Sequence, residues 1–257
     1  MLRSLAFNIA FYLFTLVWAL GLLLLLWSPR RTVQRLISLY ARIVIVLARW
    51  IAGIRLEIRG AENLPRDRAY LIVAKHMSYL DPFVSFALQP NMTALAKKEL
   101  FAIPIIGWIL RKIGIIRIDR QAGKAHQGMP QVLAAIHAAG RPLIVYPEGT
   151  RTRPGERRTL KSGIYHLAQD GALPVIPVST NSGLHWPKGM ARCRPGAVIY
   201  EIGAPLEACQ DKTAFMQQVE RRIIECSDRL MAADPAAPAT LAETLQPGSR
   251  GSKSGSR

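Results

Sequence analysis

The chain opens on one long apolar stretch. From Leu5 to Trp27 there is a single amide, Asn8, and no charge. A helix of that length reaches about 34 Å, slightly more than the roughly 30 Å of a bilayer's hydrocarbon core. A cleaved secretory signal would have a shorter apolar core, about 7–15 residues, and a small-residue cleavage site. Here SPRR (28–31) follows directly without such a site, so the pattern predicts a membrane helix or a deeply inserted anchor. A second apolar stretch, LISLYARIVIVLARWIAGI (36–54), is interrupted by Arg42 and Arg49. Seven apart, they share a helix face. A spanning helix would have to hide both, at a few kcal/mol each. An interfacial or re-entrant helix can snorkel them to headgroups, and is the expectation.

Beyond the anchor, short apolar runs alternate with helix-like segments. IRLEIRG (54–60) alternates with period two, and AYLIVA (69–74) is continuous, as in a strand covered on both faces. MTALA (92–96), GIIRI (114–118), PLIVY (142–146), LPVIPVS (173–179) and AVIYEIG (197–203) read as further strands. Helical patterns fill 82–88, 99–112, 128–139, 161–170 and 211–231. This alternation predicts an α/β fold with a mixed, largely parallel sheet flanked by helices. Three parts follow: anchoring helices over 1–53, an α/β domain over 54–232, and a tail over 233–257. The tail's Ala, Pro, Gly and Ser composition predicts disorder.

Charge adds a partner. The net charge is +17, with basic residues concentrated over 30–66, 97–124 and 141–161. Nucleic acid and an anionic bilayer both suit such a chain. No RNA- or DNA-binding motif occurs, and the apolar segment adjoins the first basic cluster, so membrane lipids are the expected partner. Arg30, Arg31 and Arg35 follow that segment while only Arg3 precedes it. This excess places the rest of the chain in the cytoplasm, at the inner membrane. Cys193, Cys209 and Cys226 are odd in number and lack metal-site spacing, which argues against a disulfide framework or a zinc site.

Ligand sites in open α/β sheets gather beyond the carboxyl ends of strands. Three polar clusters fall there. KHMSYLD (75–81) offers His76, a possible general base, and Asp81, a carboxylate able to fix its tautomer. Asp81 precedes Pro82 and equally suits a helix N-cap, with His76 bonded to backbone. YPEGTRTRPG (146–155) offers Gly149 for close backbone approach, Thr150 and Arg151 as a phosphate grip, and Glu148 as a counter-charge or hydroxyl ligand. Asp119 and Arg120 form the third, with Arg120 a possible second phosphate contact. No GxxxxGK[ST], GxSxG, HExxH or GxGxxG occurs. His126, His137, His166 and His185 have no neighbouring partner pattern and read as packing or surface residues.

In order, HMSYLD (76–81), GIIRIDR (114–120), YPEGTR (146–151) and VIPVS (175–179) resemble the four blocks of the HxxxxD glycerolipid acyltransferases, and most of all the bacterial 1-acyl-glycerol-3-phosphate type. The resemblance spans roughly residues 55 to 205. HxxxxD alone is weak; PEGTR after an apolar strand is stronger, and the four in order are highly specific. Two positions depart from the usual pattern: Lys75 where Asn is common, and Tyr146 where Phe is common. The resemblance implies direct transfer without an acyl-enzyme. His76 would deprotonate the sn-2 hydroxyl of lysophosphatidate, Asp81 would orient and charge-stabilise it, and the donor would be an acyl thioester of coenzyme A or acyl carrier protein. Gly149, Thr150 and Arg151, with Arg120, would bind the phosphate region, and Glu148 would help position the acceptor. No metal or prosthetic group is implied. Another lyso-lipid acceptor, such as lyso-ornithine lipid, and a non-catalytic membrane lipid-binding protein are the alternatives.

Overall fold

The computed structural model describes residues 2–118, 129–189, 192–207 and 209–245. The first apolar stretch forms helix α1, Leu2–Leu24, long and apolar enough to cross a membrane by length and composition. One face, however, packs along the domain. Phe7 and Phe11 meet the buried Trp186 edge-on, with ring centroids 4.9 and 5.5 Å away. The Ser4 hydroxyl donates to the Cys193 carbonyl at 3.2 Å. Only the outer face, carrying Leu5, Ile9, Leu13, Leu16 and Leu20, is more than half exposed.

The second stretch forms α2, Arg30–Leu47, continued by a π-helical turn, Ala48–Ala52, and stopped by Gly53 at φ 74°. Arg42 donates to the Ala87 carbonyl at 3.3 Å, and the Arg49 guanidinium lies 5.8 Å from the Trp50 ring centroid. Arg30 donates to the Ile113 carbonyl at 2.8 Å. Part of the arginine excess therefore braces the fold.

The strands are β1, Ile54–Arg59; β2, Leu71–Ala74; β3, Thr93–Lys97; β4, Ile116–Ile118; β5, Leu143–Val145; β6, Val175–Thr180; and β7, Gly196–Ile202. They form one sheet in the order β1-β7-β6-β2-β5-β3-β4. Every pairing is parallel except β6 with β7, so the sheet is mixed and largely parallel. Side chains alternate between its faces. On β2, Ile72 and Ala74 join a core with Phe7, Val44, Trp186 and Val84. Leu71 and Val73 join an opposite core with Val132, Ile136, Leu167 and Phe215. The helices between strands are α3, Leu80–Leu88; α4, Ile106–Ile113; α5, Met129–Ala139; α6, Gly163–Gln169; and α7, Ser182–His185.

Some expectations change. The helical pattern over 99–112 splits into a 3-10 turn, Lys98–Ala102, and α4. Pro104 lacks an amide proton and disfavours helix before it, and Ile105 turns the chain at φ 66°. The 211–231 pattern holds as α8, Lys212–Val219, and α9, Cys226–Ala232, joined by a π-helical Glu220–Glu225. The tail is ordered where it is described. Residues 233–245 include a last helix, α10, Ala239–Leu245. Leu245, with Leu241 against it, shares a core with Met77, Leu184 and Met231. Two leucines and Asp234 hold this segment, which composition averaged over a low-complexity stretch conceals.

Candidate active site

β2 ends at Ala74, and the loop to α3 carries His76. Nδ1 of His76 lies 2.8 Å from Oδ2 of Asp81. A carboxylate there makes Nδ1 the donor and leaves Nε2 to accept a proton. The His76 side chain keeps 17% of its surface exposed, against 1% for Asp81. Asp81 lies inside the first turn of α3, with Tyr79 at the N-cap. Its side chain does not cap that helix. It reaches back to the amides of Met77 and Ser78, at 2.8 and 2.9 Å on Oδ2. Oδ1 accepts from the Ser182 hydroxyl at 2.7 Å and the Tyr200 hydroxyl at 2.6 Å. Burial pushes the Asp81 pKa up, but the hydrogen bond and charge of His76, with Tyr200 and the Ser78 amide, outweigh it, so the carboxyl is held below its usual range.

The loop after β5 is stapled to this one. The Thr152 amide donates to the His76 carbonyl at 2.9 Å, and the His76 amide donates to Oε2 of Glu148 at 3.1 Å. Oε1 of Glu148 pairs with Lys75 and accepts from the Thr152 hydroxyl at 3.1 Å. Glu148 is therefore buried and paired within the protein, where it holds the His76 backbone amide. The two departures noted in the sequence also find their places. Lys75 is the buried counter-ion of Glu148. Tyr146 stacks on the His76 ring, with centroids 4.0 Å apart and planes 19° apart.

Gly149 turns the chain at φ 71°, where its amide donates to the Tyr146 carbonyl at 3.0 Å. Thr150 and Arg151 follow at the partly exposed rim, and the Arg151 guanidinium lies 3.7 Å from the Tyr79 ring centroid. His76, Asp81, Glu148, Gly149, Thr150 and Arg151 thus come together. Arg120, with Asp119, lies outside the described residues. Arg157 pairs with Asp228 and, at 3.6 Å, with Glu220, while Arg158 pairs with Glu156 at 2.7 Å, which neutralises part of the basic field beside the loop. A small, mostly apolar cavity of about 30 Å³ lies beside Asp81 and Tyr200, walled by Leu64, Ile72, Val84, Leu88 and Ile144. Among the described residues no three His, Cys, Asp or Glu side chains group as metal ligands.

Sequence reasoning missed Thr152, Ser182 and Tyr200. Each meets the site from a distant segment, and only Thr152, one residue past PEGTR, had a local signal. It also missed His185, which is buried with Nε2 2.9 Å from Asp234 and Nδ1 3.0 Å from the Arg194 carbonyl. Its carboxylate partner lies in the segment expected to be disordered.

A histidine with one nitrogen held by a buried carboxylate, beside a glycine–arginine loop on an α/β sheet, is an arrangement suited to general-base group transfer. The family described as Acyltransferase matches residues 55–181. The chain belongs to that family and is an acyltransferase. It is 36% identical over 192 residues to a 1-acyl-sn-glycerol-3-phosphate acyltransferase of Limnanthes douglasii, covering 74% of this chain and 67% of the relative. It is 33% identical over 170 residues to the enzyme of that name from Pseudomonas aeruginosa, covering 66% of each. The crystal structure of the 1-acyl-sn-glycerophosphate acyltransferase from Thermotoga maritima, 23% identical, superposes with a TM-score of 0.71, covering 89% of this chain and 97% of that one.

Proposed function

We propose that the protein transfers an acyl group from an acyl thioester to the sn-2 hydroxyl of 1-acyl-glycerol-3-phosphate, giving phosphatidate. The observation that carries this reading is the His76–Asp81 pair, with Nδ1 committed to the carboxylate at 2.8 Å. Nε2 takes the hydroxyl proton, and Asp81 stabilises the imidazolium that forms. The sn-2 oxygen attacks the thioester carbonyl, the carbon–sulfur bond breaks, and the thiolate recovers the proton from His76. Arg151, with the turn at Gly149 and Thr150, grips the acceptor's phosphate as a charge-assisted donor, joined by Arg120. The chemistry asks for no metal or prosthetic group; coenzyme A or acyl carrier protein enters only as donor. The apolar outer face of α1 suggests membrane association, and the arginines after it favour the cytoplasmic side of the inner membrane.

The test is purified protein with one thioester donor and a panel of lysophosphatidate, other lysophospholipids and lyso-ornithine lipid. Lysophosphatidate is expected to be the best acceptor, and His76→Ala to lower transfer by about 10²–10⁴-fold while the protein stays folded. A His76→Ala enzyme with normal turnover removes the base assignment, and preference for another lyso-lipid replaces the acceptor.

A further inference from the structure

We propose that Ser182 and Tyr200 are positioning residues for the transfer reaction: their hydroxyls clamp Oδ1 of Asp81, so that Oδ2 stays on Nδ1 of His76. This rests on the reading of His76 as the base. A carboxylate offers about four good acceptor sites. Asp81 fills them with five donors, divided by oxygen. Oδ2 takes His76 and two amides of its own loop. Oδ1 takes only the two hydroxyls, at 2.7 and 2.6 Å, from elements 101 and 119 residues further along the chain. Without them the carboxylate could rotate, and Oδ2 would no longer be confined to the imidazole.

Both hydroxyls are themselves fixed. Ser182 opens α7, its amide donates to the Thr180 hydroxyl at 3.0 Å, and it is wholly buried. The neighbouring Asn181 accepts from the Ile199 amide at 2.8 Å and donates to Asp234, which also takes His185 at the other end of α7. Tyr200 sits on β7 opposite Thr180, inside the sheet. Neither hydroxyl faces the outer nitrogen of His76, so their effect passes through Asp81.

The other polar groups around the pair are Lys75 and Glu148 beneath the loop, Tyr146 on the imidazole face, and Tyr79 with Arg151 at the rim. All stay in place in the variants below.

The experiment is kcat and acceptor KM for the full chain in lipid, for wild type, Tyr200→Phe, Ser182→Ala and Ser182→Thr, with thermal melting of each. Tyr200→Phe and Ser182→Ala should each lower kcat about tenfold, with acceptor KM near wild type. Ser182→Thr, which keeps the hydroxyl, should restore kcat. An unchanged kcat, no rescue by threonine, or activity that falls only in proportion to folded protein would overturn the clamp. A fully active His76→Ala would instead overturn the reading beneath it.

Discussion

Lys75 shows how one residue changes what a conserved-looking block does. Its ammonium is 2% exposed and its partner Glu148 is sealed from solvent. An ion pair so placed contributes little net stability against an apolar pair, but removing one partner strands a buried charge. Lys75→Ala should therefore cost about 3–5 kcal/mol in chemical unfolding. Lys75→Asn should be milder, because an amide can still donate to Glu148. The same stability in the alanine variant as in wild type would show that Glu148 is otherwise compensated. The consequence reaches the site, since Glu148 also holds the His76 amide. Catalytic geometry and folding are coupled through this carboxylate, so activity in the alanine variant should fall more than the folded fraction alone requires.

Among the elements, α7 does more than its single turn suggests. It presents Ser182 to Asp81 at its start and His185 to Asp234 at its end. Asp234 therefore works as a latch, fastening the C-terminal segment to a helix that touches the Asp81 carboxylate. His185 meets oxygen acceptors at both ring nitrogens, so the latch fills the hydrogen-bonding capacity of a buried ring. Asp234→Ala should destabilise by a few kcal/mol and raise hydrogen exchange over 182–185 together with proteolysis after 233. Unchanged protection over 182–185 would mean that α7 is held by its own core contacts. Immediately after α7, Trp186 grips α1 through Phe7 and Phe11. That grip keeps one side of the helix on the domain and turns the other outward, so α1 lies along the protein it anchors.

For the whole molecule, two kinds of surface coexist. The net charge is +17, and α1 exposes an apolar face, with Trp27, three residues past its end, 95% exposed. Trp50 and Trp108 are also more than half exposed. At an anionic bilayer, an apolar face of this kind would insert, and each basic residue near the surface would add roughly 1 kcal/mol. Raising salt from about 0.1 to 1 M shortens the screening length from roughly 10 to 3 Å. Flotation with anionic vesicles should weaken over that range, while binding to neutral vesicles should hardly change. Equal salt responses for both would remove headgroup charge as a determinant.

Much of this was determined by the sequence alone. Period-two and continuous apolar runs placed every strand within a few residues, because side chains on a pleated strand must alternate or, when covered twice, be apolar throughout. HxxxxD and PEGTR pointed to the candidate site, because a histidine, a carboxylate and a turning glycine lie close together in the chain. Three things were decided only by the tertiary structure. Asp81 could have capped α3; the buried donors Ser182 and Tyr200, far along the chain, turn its carboxylate to the histidine instead. Glu148 had no partner legible in the sequence; the buried Lys75 pairs with it. Residues 233–245 lack the composition to fold by themselves, and order there comes from His185 and the apolar floor under Leu241 and Leu245. Local pattern records what a segment can bury by itself, whereas a buried polar group takes the partner that the packing of distant segments brings to it.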